Sequence, residues 1–386
     1  MQRLLALLLT FGGMGVAQTA GPDPCGGLTE ARVPQGSVTS ATVADGYCVA
    51  RGVLRPATHF TVKLPVSGWT GQYVQQGCSG LCGAVPALDY PLFGFACAAA
   101  RAKTLVVAAD DTGHTGDAAA TWGADPRARR EFGRTSEHRL RLASDAIMVA
   151  YYGRGPAYRY FDGCSTGGRQ GLNLAQRYPA DFDGILAGAP AHDFVALNLL
   201  QAWLATRNTD ARGRQILGPE KIGPLHAAVT RECGEIIEDP RRCDFRPAAL
   251  RCPAGNRPDC LTPAQVTAVT QFYRGPRGIS PGLPYGSELG WIDQFVVRSG
   301  SPLEGNAGTI ALNYLRYLGY PSVRPDGFDL TDVRFDRATL DRLDVVGDAL
   351  YNATDPDLRA FRAYGGKLIM YHGCAMPPRP ADAGPP

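Results

Sequence analysis

The sequence predicts an α/β fold in which a mostly parallel sheet carries helices on both faces. Short apolar runs alternate along the chain with segments of helical periodicity, an order that is typical of such folds. The clearest helical segment places Leu140 and Ile147 on one face, and Ser136 can cap its start. The apolar runs that predict strands are 60–65, 104–110, 158–163, 184–190 and 367–373.

The segment from about 193 to 345 differs in composition from the rest of the chain. Pro, Gly, Arg and Cys become more frequent there, and continuous apolar strands disappear. We therefore predict a lid domain at 193–345, inserted between a first part of the core at 18–192 and a second part at 346–375. Residues 376–386 form a Pro-rich tail.

Charge and hydropathy argue against two kinds of partner. The chain has 386 residues, a formal charge of +3 and no basic block of the kind that binds nucleic acid. The apolar run near the N-terminus is shorter than the roughly 20 residues that span a bilayer, and small residues follow it near Ala17. Residues 1–17 are therefore expected to be a signal peptide, which predicts a secreted or periplasmic protein that has no membrane contact after cleavage.

The eleven cysteines fit a disulfide-bonded protein of an oxidising compartment. Cys78 and Cys82 have the spacing of metal ligands, but no second Cys or His pair at zinc spacing completes a site. Cys97 is expected to pair with Cys82 or Cys78, and Cys82–Cys97 is the pair we predict. The predicted local pairs are Cys25–Cys48, Cys233–Cys243 and Cys252–Cys260.

A serine motif follows the third predicted strand. Residues 163–167 read Gly-Cys-Ser-Thr-Gly, and a helix is predicted directly after them. This context is typical of a nucleophile elbow, in which small flanking residues allow a sharp strand-to-helix turn. The pattern indicates Ser165 as a nucleophile, and the alternative is a Gly-rich turn with a buried serine. Such a serine needs a base, yet the downstream histidines, His192, His226 and His372, do not occupy the late loop expected for it.

Several motifs point to one family. Residues 163–191, GCSTGGRQGLNLAQRYPADFDGILAGAPA, resemble the serine motif of the tannase and feruloyl esterase family. The segments YCVARG, WTGQYVQQGCSGLCG, DDTGH, GSELGW and NATDPDLRAFRAYGGKLIMYHG also resemble this family and follow its order, from about residue 25 to 375. The resemblance implies a secreted α/β-hydrolase fold with an inserted disulfide-containing lid. It also implies that the partner is a small ester of an aromatic acid.

The resemblance further implies the parts of the catalytic site. Ser165 would be the nucleophile, and the backbone N–H groups of Thr166 and Gly80 would form the oxyanion hole. The family carries its triad Asp shortly after the last shared strand, but Met376 stands at that position, and the triad His is absent. We therefore expect a chain that is truncated or frameshifted after about residue 375, that lacks the last core strand and helix, and whose esterase activity is impaired.

Two alternatives remain open at this stage. The alternatives to a truncated hydrolase are a natural short variant with a relocated base and a catalytically inactive remnant or aromatic-ester binding protein. The family joins the Cys before its Ser to a Cys beside its catalytic His. Because this chain has no such His motif, the resemblance implies that Cys164 and Cys374 are both unpaired.

Three further features rest on the same resemblance. Trp291 in GSELGW is either a contact for an aromatic substrate or part of the lid core, and His114 in DDTGH is expected to stabilise a turn. The family's lid often holds calcium, which needs six to eight oxygen ligands. Three acids at the corresponding place are too few, so no metal and no other cofactor is predicted. These acids are Glu235, Glu238 and Asp239.

Overall fold

The computed structural model describes residues 24–86, 88, 103–116 and 120–373. The predicted signal peptide, the Pro-rich tail, Cys97, Cys374 and Met376 lie outside the described residues.

A single mixed sheet runs through the described chain. Its strands are β1 Gly36–Ala44, β2 Tyr47–Leu54, β3 Thr58–Pro65, β4 Gln72–Gln76, β5 Val106–Asp110, β6 Tyr158–Cys164, β7 Gly184–Gly188 and β8 Lys367–Tyr371. They lie in the order β1-β2-β3-β5-β4-β6-β7-β8. Strands β4 to β8 are parallel, whereas β1, β2, β3 and β5 are joined antiparallel. The predicted α/β fold is confirmed, with an antiparallel side that the sequence prediction omits.

Three strands, β1, β2 and β4, are missing from the sequence prediction. β4 reads QYVQQ, and because it ends in two glutamines it does not form the continuous apolar run that predicts a buried strand. Gln75 is fully buried because its amide donates to the Glu137 carboxylate and its oxygen accepts from the Tyr73 hydroxyl. Buried polar groups are stable when they find such partners.

Helices cover the sheet and form the segment between β7 and β8. They are α1 Pro126–Arg130, α2 Ser136–Tyr152, α3 Thr166–Arg177, α4 Phe194–Arg207, α5 Ile222–Cys233, α6 Pro263–Arg274, α7 Asn306–Asn313, α8 Arg337–Val346 and α9 Arg359–Ala363. Helix α2 packs Leu140 and Ile147 into the cluster that also contains Phe161 of β6. It ends at Gly153, whose φ of 71° suits a left-handed C-terminal cap.

The chain between β7 and β8 is helical and contains a hydrophobic cluster of its own, whose buried members lie between Leu204 and Ala307. A further cluster joins this segment to the sheet side, with Leu343 and Phe132 among its members. The limits of the lid domain, 193 and 345, stay a prediction. Nowhere in the described ranges is there a helix with the length and apolar character needed to cross a bilayer.

Four disulfides are present in the described part of the chain. Three are the predicted pairs Cys25–Cys48, Cys233–Cys243 and Cys252–Cys260. The prediction of Cys82–Cys97 is wrong, because Cys82 is bonded to Cys78. The sharp loop 78–82 brings these two Cα atoms to 5.4 Å, within the range of a disulfide. Of the described cysteines, only Cys164 is free.

Strand β8 exposes apolar side chains. Ile369 and Met370 are each 60% exposed, and Tyr371 is 42% exposed. Leu368 is the member of this strand that packs against buried residues of the core. The strand is therefore held mainly by its backbone pairing with β7.

Candidate active site

Ser165 occupies the turn between β6 and α3. Its backbone has φ 60° and ψ −117°, a conformation that costs a non-glycine residue on the order of 1–3 kcal/mol. Hydrogen bonds on both sides hold it there: Ser165 N donates to Gly188 O at 3.0 Å, and Ser165 O accepts from Arg169 N and Ala191 N. Such a strained turn at the carboxyl edge of a parallel sheet is the geometry of a nucleophile elbow.

The glycines around Ser165 are required by close backbone contacts. A Cβ atom at Gly163 would lie 2.4 Å from Gly167 C, and one at Gly168 would lie 2.5 Å from Gly188 O. At Gly167 a Cβ would lie 3.0 Å from Cys78 O. Helix α3 can therefore start directly behind β6 only if these three positions carry no side chain.

The loop after β4 brings Gly80 to the start of α3. The Thr166 hydroxyl donates to Gly80 O at 2.6 Å, and Gly80 has a φ of +57° that favours glycine. The Cys78–Cys82 disulfide closes the loop, and Gly77 N donates to Asp162 O at 2.8 Å. The two residues assigned to the oxyanion hole are thus neighbours, and the role itself stays a prediction.

His114 supports the far side of this loop. Its Nε2 lies 2.9 Å from Leu81 O, and its ring stacks on Trp122 with 3.8 Å between centroids. The residue is buried, which suits the turn-stabilising role expected from the sequence.

No histidine or carboxylate is hydrogen-bonded to Ser165 in the part of the chain that the structure describes. His192 Nδ1 is 3.2 Å from Pro190 O, and His226 Nδ1 is 2.7 Å from the Glu288 carboxylate in the helical segment. His372 is exposed beyond β8. The described residues therefore bring Ser165 together with the two predicted oxyanion donors without placing a base beside it.

Two groups on β6 close to Ser165 have shifted pKa values. Burial raises the pKa of Asp162 to about 7. Burial also raises the pKa of the Cys164 thiol, and the nearby Asp162 charge adds to the effect. A thiol in such surroundings is mostly neutral and weakly reactive at neutral pH.

A buried acid lies behind the Gly80 loop. Burial raises the pKa of Glu137 to about 7, against the opposing effects of the Gln75 hydrogen bond and the Arg169 charge. Burial and the Glu137 charge likewise raise the pKa of Asp110. Arg169 is itself fully buried, which lowers its pKa to about 10.

The sequence profile described as tannase and feruloyl esterase matches residues 43–384. The chain belongs to this family. The match continues past residue 375, where the resemblance of individual motifs ends.

The chain is similar in sequence to proteins that are named as esterases and ester hydrolases. A probable feruloyl esterase B-2 of Aspergillus flavus is 31% identical over 319 residues, covering 79% of this chain and 57% of that protein. Mono(2-hydroxyethyl) terephthalate hydrolase of Piscinibacter sakaiensis is 29% identical over 403 residues, covering 88% of this chain and 65% of that protein. The chain thus spans about 57 to 65% of the length of these relatives.

A solved structure of the family has the same fold. Feruloyl esterase B from Aspergillus oryzae superposes with a TM-score of 0.75 at 23% identity, covering 89% of this chain and 73% of that one. This likeness confirms the α/β-hydrolase fold with its long helical segment.

Trp291 lies in the core of the helical segment. It is 2% exposed, packs against Phe272 and Phe295, and donates from Nε1 to Ser287 Oγ at 3.0 Å. Burial of the indole favours the lid-core alternative, and a substrate contact stays a prediction.

The acids proposed for the family's calcium do not fit a calcium site. Asp239 accepts from Arg241 through both carboxylate oxygens, while Glu235 and Glu238 point into solvent. Across the described ranges, no group of three or more His, Cys, Asp or Glu residues lies together as a metal site.

Sequence reasoning overlooks Gln170, which contacts the Gly80 loop at Cys78 N, and Glu137, which accepts from the Gln170 amide behind it. Glu137 precedes Leu140 by three residues and therefore falls on the apolar face of α2. A carboxylate on that face is a signal of a buried polar network, and it could have been found from the sequence.

Proposed function

We propose that this chain is a carboxylic ester hydrolase that cleaves esters of aromatic acids through an acyl-enzyme at Ser165. The observation that carries the proposal is the strained Ser165 turn at the carboxyl edge of the sheet, with Thr166 and Gly80 beside it. Membership of the tannase and feruloyl esterase family supports the ester, and the names of the relatives support the aromatic acid.

In the proposed reaction, Ser165 Oγ bonds to the carbonyl carbon of the ester while its proton passes to a base. The negative charge that develops on the carbonyl oxygen is stabilised by the backbone N–H groups of Thr166 and Gly80. The C–O bond to the alcohol then breaks, and the alcohol takes up the proton. Water hydrolyses the acyl-enzyme and releases the acid.

Export is part of the proposal. Four disulfides in the described chain are typical of an oxidising compartment. Together with the expected signal peptide, they support a secreted or periplasmic enzyme.

A second candidate is a binding protein for aromatic esters that does not turn over. It is favoured by the observation that no histidine or carboxylate of the described ranges is hydrogen-bonded to Ser165. Such a protein would keep the fold and the helical segment but lack an efficient base.

Nitrophenyl ferulate and nitrophenyl acetate distinguish the two candidates. An ester hydrolase gives a burst of nitrophenol followed by turnover, prefers the aromatic acyl group, and loses both phases in Ser165→Ala. Mass spectrometry should find the acyl group on the Ser165 peptide. If the wild type and Ser165→Ala both bind methyl ferulate saturably and neither is acylated, the hydrolase proposal is refuted and the binding-protein proposal is supported.

A further inference from the structure

A chain of buried amide and carboxylate groups joins the Gly80 loop to helices α3 and α2. Cys78 N donates to Gln170 Oε1 at 3.1 Å, and Gln170 Nε2 donates to Glu137 Oε1 at 2.7 Å. Gln75 Nε2 donates to the other carboxylate oxygen, Glu137 Oε2, at 2.5 Å. These four residues come from three elements and the loop, and they meet directly behind the predicted oxyanion site.

The direction of each hydrogen bond in this chain is fixed by its neighbours. Cys78 N–H can only donate, so Gln170 must present its oxygen to the loop and its NH₂ group to Glu137. Glu137 accepts from two glutamine amides and has no proton to offer when ionised. If the Gln170 amide were reversed, a donor would face Cys78 N–H and an acceptor would face a carboxylate.

Burial makes such a reversal costly. Gln75, Gln170 and Glu137 are 0%, 3% and 6% exposed, so water cannot satisfy a group that loses its partner. An unsatisfied buried group costs roughly 1–3 kcal/mol. The charge of the buried Arg169, the residue before Gln170, offsets only part of the cost that burial imposes on an ionised Glu137.

The contact also fixes the loop in space. A Cβ atom at Gly77 would lie 2.8 Å from Gln170 Oε1 and 2.8 Å from Gly167 Cα, so the loop runs directly along the start of α3. Gln170 lies five positions after Ser165 on a rigid helix, and Cys78 lies two positions before Gly80. The path from the nucleophile to the predicted donor is therefore short and without a flexible segment.

We propose that Glu137 is a positioning residue: it orients the Gln170 amide, which holds Cys78 N–H and sets the Gly80 donor relative to Ser165. This inference rests on the proposed hydrolase function. Two buried residues, Glu137 and Gln170, would determine how precisely the oxyanion donors are placed, although Glu137 itself does not touch the substrate.

Exchanging the carboxylate and the amide tests the proposal. Glu137→Gln places an NH₂ group against one of two glutamine donors, and Gln170→Glu places two carboxylates side by side. The double variant Glu137→Gln/Gln170→Glu restores a complementary chain, because the amide at 137 can donate to the carboxylate at 170, whose second oxygen still accepts from Cys78 N–H.

Two measurements are compared in each variant. The first is the rate of Ser165 acylation by nitrophenyl ferulate, which should fall about 10- to 100-fold in each single variant, with KM changed less than about threefold. The second is amide hydrogen exchange of the peptide containing 77–83, which should be faster in the single variants. Both should return to within about threefold of the wild-type values in the double variant.

Gln176→Glu is the matched control. It makes the same chemical change on helix α3, but Gln176 Nε2 donates to Ala353 O, away from the Gly80 loop. Its acylation and loop exchange should equal those of the wild type.

The outcomes separate the inference from the function. Single variants with wild-type acylation and loop exchange, or a double variant with no recovery, would overturn the positioning role. If the wild type is not acylated at all, the hydrolase proposal fails, while the exchange data still decide whether Glu137 holds the loop. If a single variant does not fold, recovery in the double variant alone supports the proposal, and its failure to recover refutes it.

Discussion

The Gly163→Ala substitution tests whether the elbow depends on backbone contact. The new Cβ would lie 2.4, 2.5 and 2.6 Å from Gly167 C, O and Cα. Carbon atoms pack at about 3.5–4.0 Å, so the overlap exceeds about 1 Å and involves main-chain atoms that cannot rotate away. Overpacking of this kind costs typically about 1–3 kcal/mol. We expect about 2 kcal/mol or more of lost stability, with slower acylation of Ser165.

Gly223→Ala provides the control for the loss of a glycine. Gly223 is exposed in α5, and a Cβ there meets nothing within 4 Å. Alanine in a helix interior is favoured over glycine by up to about 1 kcal/mol, so this variant should be as stable as the wild type or more stable. Urea unfolding followed by circular dichroism measures the stability of both variants, Gly163→Ala and Gly223→Ala. Equal midpoints for Gly163→Ala and the wild type would refute the contact argument.

Three further predictions follow from burial and exposure. Because burial raises the pKa of Glu137 from 4.5 to about 7, the contribution of this group to stability is present below pH 4.5 and lost as the pH rises through 7. The urea concentration at the unfolding midpoint should therefore fall over this pH range in the wild type and fall less in Glu137→Gln. Cys164, which is half-buried and whose pKa is also raised, should react with iodoacetamide at pH 7 at least about tenfold more slowly in native protein than in urea. Equal rates in peptide mapping would show that its position in the fold does not protect the thiol. Ile369→Lys and Met370→Lys should reduce aggregation, measured by light scattering, without lowering the urea unfolding midpoint. Leu368→Lys, at the packed position of β8, should lower that midpoint. Unchanged aggregation in both Ile369→Lys and Met370→Lys would show that exposed β8 is not the cause of aggregation.

The elements that the sequence predicts correctly are those whose side chains are apolar where they are buried. β3, β5 and β7 carry such runs, and α2 has a clear apolar face. The apolar run of β8 also predicts a strand, although most of its side chains are exposed. β4 could not be predicted in this way, since its burial depends on partners for Gln75 that come from distant positions in the chain. The same limit applies to the site: the serine motif is local, whereas the contact of Cys78 with Gln170 joins residues 92 positions apart.

The disulfide error has a similar physical origin. Cys82 lies four positions after Cys78, and an extended chain would hold their Cα atoms well beyond disulfide range. Left-handed backbone at Gly80 and Cys82 folds the loop back and closes that distance. The sequence shows the glycine that permits this turn but does not show that the turn is made.

Ser165 and the exposed edge strand β8 are linked through the backbone of β7. Gly188 O accepts from Ser165 N, and the next residue, Ala189, donates from its N to Tyr371 O of β8 at 2.7 Å. The strained conformation of Ser165 persists only while the surrounding hydrogen bonds fix it, and these bonds depend on the position of β7. Since β8 is one of the two strands that pair with β7, we expect that a displacement of β8 would loosen the turn that carries Ser165.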